Sequence, residues 1–99
     1  TTLGEMMGAL DAGSDFMKCL PAEQAGGAPS VKAVASVIPS IRFCPTGGIN
    51  AANAPDYLAL PNIVCVGGSW VAPDAYIREG RWAEIEELAA EANKLRKAA

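Results

Sequence analysis

Histidine is absent from the 99 residues of this sequence. Because imidazole is the commonest general acid–base and a frequent metal ligand, its absence excludes histidine catalysis and histidine ligation within this chain. Positive charge is also scarce, with 8 Lys and Arg against 11 Asp and Glu, a net charge of -3 and no basic cluster. We therefore expect no nucleic acid partner, since neutralising a phosphate backbone requires clustered basic side chains.

Long apolar runs are missing as well. None approaches the roughly 20 residues that a membrane span needs, and nothing resembles a signal peptide, so we expect no membrane partner and a cytoplasmic location. Cysteine is limited to Cys19, Cys44 and Cys65, an odd number, each within an apolar run. This pattern predicts buried free thiols rather than a disulfide or a zinc site. The sequence as a whole is 51% hydrophobic and 19% charged, as expected for one modest globular domain.

Two helices are predicted before the middle of the chain. The first starts with the capping-box spacing of Thr2 and Glu5, continues with apolar residues at helical spacing, and stops at Gly13. The second starts near Pro29 and ends before Pro39.

Two more helices are predicted towards the end of the sequence. Asn53 caps a short one, and the last long helix starts at about Arg81. Its inward face is expected to hold Trp82, Ile85, Leu88, Ala89 and Ala92, and its outward face Glu84, Glu86, Glu87 and Glu91. Lys94, Arg96 and Lys97 are expected in its final turns, where positive charge favours the helix dipole.

Three short apolar segments between these helices predict buried strands at 16–20, 41–44 and 63–66. Strands that alternate with helices indicate an α/β fold with a parallel sheet, either part of a (β/α)8 barrel or a doubly wound sheet. Glycine turns after two successive strands favour the barrel, whose phosphate site lies in the loops after its last two strands. A complete barrel takes about 200 residues. We therefore expect residues 1–99 to be the C-terminal half of a TIM barrel, with about three strands and no N-terminal half.

Lys18 is the only charged residue in an apolar segment of the first predicted strand. Burial disfavours the ammonium form, lowers the pKa of lysine and leaves a neutral amine that can attack a carbonyl carbon. The alternative is a lysine that extends from the strand end to water or pairs with a carboxylate.

The two glycine turns provide a second kind of site. Thr46-Gly47-Gly48 and Gly67-Gly68-Ser69 allow backbone N–H groups to approach an anion, and each precedes a predicted helix whose N-terminus favours negative charge. Ordinary tight turns explain most single Gly-Gly pairs. Two of them at equivalent strand ends predict a phosphate-binding site.

Three segments in order resemble the signatures of the 2-keto-3-deoxy-6-phosphogluconate (KDPG) and 4-hydroxy-2-oxoglutarate aldolase family. They are Met17-Lys18-Cys19-Leu20-Pro21-Ala22-Glu23, Phe43-Cys44-Pro45-Thr46-Gly47-Gly48-Ile49 and Val66-Gly67-Gly68-Ser69-Trp70. The resemblance covers essentially the whole chain and implies a (β/α)8 barrel, usually a homotrimer, with an imine-forming lysine. That lysine corresponds to Lys18.

The resemblance also implies roles for the turns. Thr46 would shape the pyruvyl end of the site, while Gly47, Gly48, Gly67, Gly68 and Ser69 would hold the substrate phosphate. Leu20 stands where the family commonly has an aromatic residue. The family's general-base glutamate and carboxylate-binding arginine have no counterpart here, and neither Glu23, interpreted as a loop-positioning residue, nor Arg42 replaces them.

The implied enzyme is a lyase that cleaves KDPG to pyruvate and glyceraldehyde 3-phosphate through a Schiff base, with no metal or organic cofactor. Without the glutamate, this chain alone is expected to be impaired. Three alternatives remain open: an aldolase for 4-hydroxy-2-oxoglutarate or a related keto acid, a phosphate-binding barrel enzyme without imine chemistry, and an inactive half-barrel fragment.

Overall fold

The computed structural model describes residues 1–95. Its elements, in chain order, are α1 (Leu3–Asp11), β1 (Phe16–Cys19), α2 (Gly27–Val37), β2 (Arg42–Pro45), α3 (Ala54–Leu58), α4 (Asp74–Arg78) and α5 (Trp82–Asn93). The α/β class and the alternation of strands with helices are confirmed. Within the described residues, no helix is long and apolar enough to cross a membrane.

Local sequence determines where α1 begins and ends. The Thr2 hydroxyl accepts a hydrogen bond from the Glu5 amide at 3.1 Å, and the Glu5 carboxylate accepts one from the Thr2 amide at 2.9 Å. This reciprocal pair is the predicted capping box. The helix ends two residues before Gly13, whose φ of +101° suits glycine.

The sheet consists of two parallel strands, with Phe16 paired to Arg42 and Lys18 to Cys44. The predicted third strand at 63–66 is wrong as a regular element. Within the described residues, the backbone of this segment forms only two isolated bridges, Phe43 to Ile63 and Thr46 to Gly67. Three residues separate Ile63 from Gly67 but two separate Phe43 from Thr46, so the segment has one extra residue between the bridges. This extra residue interrupts the ladder, as in a β-bulge.

One face of the sheet and the helices beside it form the core. Its largest fully buried side chains are Tyr57, Phe43, Ile41, Ile63 and Pro45. Asn62 is also buried, and its side-chain amide donates to the Val31 carbonyl at 3.0 Å. This bond links the residue just before the 63–66 segment to α2. The packed side of the sheet therefore depends on contacts between residues far apart in sequence.

The opposite face of the sheet is open. Phe16 is 51% exposed and Val64 43% exposed, so the expectation of strands buried on both faces is wrong for the described residues. The thiols follow the same division, because Cys19 is buried, Cys44 is half-buried and Cys65 is exposed. Only Cys19 matches the prediction of a buried thiol, since its side chain points to the packed face.

The terminal helix α5 has no fully buried residue. Ile85, Leu88 and Ala92 are half-buried as predicted, but Trp82 (63% exposed) and Ala89 are exposed, which contradicts the predicted inward face. Its contacts are mainly with α4, so only a narrow stripe is covered. Lys94 follows the helix and donates to the Glu91 carboxylate at 2.8 Å. Arg96 and Lys97 lie outside the described residues.

Candidate functional site

Lys18 is the third residue of β1, and its side chain is exposed. The expectation of a buried lysine is wrong for the described residues. β1 is an edge strand, and the strand alternation places Lys18 on the open face with Phe16, so its side chain remains exposed. Lys18 also lines a cavity of about 200 Å³ between α1 and the sheet, together with Glu5 and Met6.

The first glycine turn leaves the end of β2 with two consecutive residues of positive φ. Gly47 has a φ of +101° and Gly48 a φ of +76°, backbone conformations that residues other than glycine rarely adopt. A Cβ atom on Gly47 would also lie 2.8 Å from the Pro21 Cα, so the turn packs closely on the loop that follows β1. Glycine is therefore required here both for conformation and for space.

All three carbonyl oxygens of the Thr46–Gly48 turn accept hydrogen bonds from the surrounding chain. Thr46 accepts from the Ala22 amide at 2.7 Å, and Gly47 accepts from the Glu23 amide at 3.1 Å. The side-chain amide of Asn53 donates to Gly48 at 2.9 Å. With its carbonyls engaged in this way, the turn can offer N–H groups rather than oxygen atoms to a ligand.

The second glycine turn lies beside the first. Gly67 is bridged to Thr46, and a Cβ atom on Gly67 would lie 2.8 Å from the Thr46 hydroxyl. At Gly68 a Cβ atom would overlap the ring of Trp70, which packs beside that residue. Both glycines therefore allow close packing that any side chain would prevent.

The two turns share one cavity of about 340 Å³, which we call the glycine cavity. It is lined by Thr46, Gly47, Gly48, Ile49, Gly68 and Ser69. The backbone N–H groups of Gly48, Gly68 and Ser69 donate no hydrogen bond within residues 1–95. Unpaired N–H groups around a concave surface are the usual means of binding an anion. Five of the six predicted turn residues line this cavity, and Gly67 supports it through Thr46.

Helix dipoles contribute less to this cavity than the sequence suggested. α3 begins at Ala54 and α4 at Asp74, each several residues beyond its glycine turn and each only five residues long. Neither helix starts at a glycine turn, so the expected helix N-termini are wrong in position. The cavity relies on backbone N–H groups of the turns themselves.

Lys18 and the glycine cavity occupy the same end of the sheet without sharing a cavity. Lys18 pairs with Cys44 on β2, two residues before Thr46, which directly follows the strand. Two strand residues span about 7 Å, so a ligand a few atoms longer than a phosphate could reach both. The structure thus assembles the two glycine turns into one cavity and leaves Lys18 nearby on the open face.

The sequence reasoning missed the part played by Asn53. Its side chain does not cap α3, because it accepts from the Asn50 amide at 2.8 Å and donates to the Gly48 carbonyl. The Asn-x-x-Asn spacing after the glycine turn was the available signal, since asparagine often closes turns through its side chain.

Comparison with known proteins gives a consistent relationship. Residues 1–88 match the family model described as KDPG and KHG aldolase. The 2-dehydro-3-deoxy-phosphogluconate aldolase of Pseudoalteromonas atlantica is 46% identical over 92 residues, which cover 93% of this chain and 43% of that protein. The enzyme of the same name from Zymomonas mobilis is 48% identical over 95 residues, covering 96% of this chain and 44% of that one.

A solved structure shows the same likeness. The KDPG aldolase of Legionella pneumophila, captured with pyruvate as a covalent carbinolamine intermediate, is 45% identical with a TM-score of 0.90, over 92% of this chain and 44% of that one. The chain thus spans a little under half the length of these relatives. Because the family model matches most of its residues, the chain belongs to the KDPG and KHG aldolase family.

Proposed function

We propose that residues 1–99 form the C-terminal half of a (β/α)8 barrel aldolase that cleaves KDPG through a Schiff base on Lys18. The observation that carries this proposal is the glycine cavity, whose N–H groups adjoin the strand that bears a lysine. An anion site beside an amine suits a phosphorylated carbonyl compound. Pyruvate, captured covalently in the Legionella relative, fits the same chemistry.

The reaction begins at the C2 carbonyl carbon of the substrate. The neutral amine of Lys18 attacks it, and loss of water gives an imine. A base then removes the C4 hydroxyl proton while the C3–C4 bond breaks, and the protonated imine accepts the electron pair as an enamine. Protonation of the enamine and hydrolysis release pyruvate and regenerate the amine, after glyceraldehyde 3-phosphate has left.

The glycine cavity positions the substrate through its phosphate. Gly48, Gly68 and Ser69 supply N–H groups. Gly47 allows the first turn to pack on the loop after β1, and Gly67 allows the second turn to pack on Thr46. Hydrogen bonds to a charged group contribute about 1.5–3 kcal/mol each. These contacts fix the far end of the substrate and so bring its carbonyl within reach of Lys18.

The exposed position of Lys18 supports the half-barrel interpretation. Covering the open face with further strands would bury Lys18 together with Phe16 and Val64. This desolvation favours the neutral amine that imine formation requires. Each Å² of apolar surface left exposed forgoes about 25 cal/mol, so about 400 Å² costs on the order of 10 kcal/mol. The proposal places the general base and the carboxylate ligand on the other half of the barrel, and it includes the trimeric assembly that the family resemblance implies.

Trapping the imine tests the proposal. We expect pyruvate and borohydride to add one reduced adduct to the intact protein, with peptide mapping placing it at Lys18. Lys18→Ala should abolish the adduct, while Lys32→Ala, a matched control at an exposed lysine of α2, should keep it. An adduct that maps elsewhere, or none at all, would favour a phosphate-binding enzyme without imine chemistry.

The 4-hydroxy-2-oxoglutarate reaction is a second candidate, because a 44% identical Escherichia coli relative is named KHG/KDPG aldolase. That substrate has no phosphate. Comparing kcat/KM for the two substrates separates the candidates, since an occupied glycine cavity should favour KDPG.

A further inference from the structure

The side chains of Glu23 and Tyr57 meet beside the glycine cavity. We propose that they are positioning residues that hold the Thr46–Gly48 turn in its phosphate-binding conformation and so determine the preference for phosphorylated substrates. This inference rests on the proposed function, because it names what sets the affinity of that same cavity. Neither residue is assigned a chemical step.

The Tyr57 hydroxyl donates to the Glu23 carboxylate at 2.6 Å, a length typical of a strong charge-assisted bond. Tyr57 is wholly buried, at 0% exposure, and lies on α3, which follows the first glycine turn. Burial, together with the bond to Glu23, raises the pKa of the phenol. The hydroxyl therefore remains a donor across the physiological pH range and fixes one carboxylate oxygen.

The stem of Glu23 then lies directly on the turn. A Cβ atom on Gly48 would be 2.6 Å from the Glu23 Cγ and 2.7 Å from its Cβ, so the stem fills the space that a side chain at Gly48 would need. The backbone contributes to the same contact, because the Glu23 amide donates to the Gly47 carbonyl at 3.1 Å. Motion of Glu23 is therefore transmitted to the turn.

The bond to Tyr57 also determines where the negative charge goes. A Cβ atom on Gly27 would lie 3.7 Å from both the Glu23 carboxylate and the Tyr57 hydroxyl, so the carboxylate is directed towards the start of α2. Its uncharged stem, rather than its charge, faces Gly48. A carboxylate released from Tyr57 could instead approach the cavity and repel a phosphate dianion.

Three substitutions separate positioning from general structural support. Tyr57→Phe removes the donor, Glu23→Ala removes both the stem and the acceptor, and Glu23→Gln keeps the stem and an acceptor oxygen. We expect the first two to raise KM for the phosphorylated substrate about tenfold, equivalent to about 1.4 kcal/mol, with kcat within about twofold. Glu23→Gln should restore KM to near the parent value. Tyr76→Phe, at the other tyrosine, is the matched control and should change neither constant.

The experiment measures kcat and KM on the intact protein with KDPG and with a non-phosphorylated 2-keto acid, and the affinity for inorganic phosphate by calorimetry. Support requires that Tyr57→Phe and Glu23→Ala weaken phosphate affinity and raise KM for KDPG alone, with recovery in Glu23→Gln. Equal effects on both substrates, unchanged phosphate affinity, or failure of Glu23→Gln to recover would overturn the inference. Glu23 is exposed, so we expect Glu23→Ala to fold. This variant therefore still tests the inference if Tyr57→Phe does not fold.

The phosphate titration distinguishes the two proposals. If the parent protein cleaves KDPG and the variants bind phosphate normally, the positioning role is wrong and the proposed function stands. If the parent cleaves nothing but phosphate affinity falls in Tyr57→Phe and recovers in Glu23→Gln, the function is wrong and the positioning role stands.

Discussion

Replacing Gly48 with alanine tests the glycine cavity most directly. Gly48 has a φ of +76°, and a left-handed conformation costs a residue with a side chain about 1–2 kcal/mol. The added Cβ would also lie 2.6 Å from the Glu23 Cγ and 2.7 Å from its Cβ. Since these atoms are near the Glu23 backbone, the loop after β1 must move, and the turn must move with it.

The size of the effect follows from the hydrogen bonds at stake. A hydrogen bond to a charged phosphate contributes about 1.5–3 kcal/mol, and each 1.4 kcal/mol is about tenfold in affinity. Displacing the Gly48 amide in Gly48→Ala should therefore raise KM for KDPG by about ten- to a hundredfold. KM for a non-phosphorylated 2-keto acid should change by less than about threefold, because that substrate makes no use of the cavity. Steady-state kinetics on the intact protein measures both.

Gly13→Ala is the matched control. Gly13 has a φ of +101°, so the substitution causes similar backbone strain, but a Cβ there has no atom within 4 Å. We expect it to lower the free energy of unfolding by about 1–2 kcal/mol and leave both KM values unchanged. The reasoning fails if Gly48→Ala raises both KM values equally, or if it binds KDPG as tightly as the parent.

Three further predictions concern stability and assembly. Phe43→Ala should lower the free energy of unfolding by about 3–5 kcal/mol, because Phe43 is 1% exposed, while Val37→Ala at a 60% exposed site should change it by less than about 0.5 kcal/mol. Urea titration measures both free energies, and equal losses would contradict the core assignment. The folded-state pKa of Tyr57 is raised above its unfolded value, so the stabilisation that the neutral phenol gives the folded state is present below about pH 10 and lost as pH rises above that. The parent should therefore lose stability at alkaline pH more steeply than Tyr57→Phe, and identical alkaline unfolding profiles would contradict the bond to Glu23. Residues 1–99 alone should sediment as oligomers or aggregates because their open face exposes Phe16 and Val64, and an active, well-folded monomer would refute the half-barrel interpretation.

The sequence determined those features that neighbouring residues control. The capping box of Thr2 and Glu5 needs only one helical turn, and Gly13 ends that helix through its own backbone freedom. The parallel pairing of β1 with β2 followed from the alternation of strands with helices. The order of the three motifs likewise indicated the family, and the match of residues 1–88 to the family model confirmed it.

Tertiary structure decided the features that depend on distant parts of the chain. An apolar run at 63–66 indicates a strand, but whether a ladder forms depends on its neighbours, and in the part of the chain that the structure describes the run makes only isolated bridges to Phe43 and Thr46. The exposure of Lys18 has the same origin, because a side chain's burial is set by what covers its face of the sheet rather than by adjacent apolar residues.

The glycine cavity combines both kinds of information. The sequence identified its glycines, because positive φ and close backbone approach are properties of that residue type. Only the fold brought Glu23, in the loop after β1, against Gly48 and Tyr57, since residues far apart in sequence become neighbours when parallel strands align their carboxyl ends. Residue type thus predicted which backbone groups can bind an anion, whereas long-range packing decided what holds them in place.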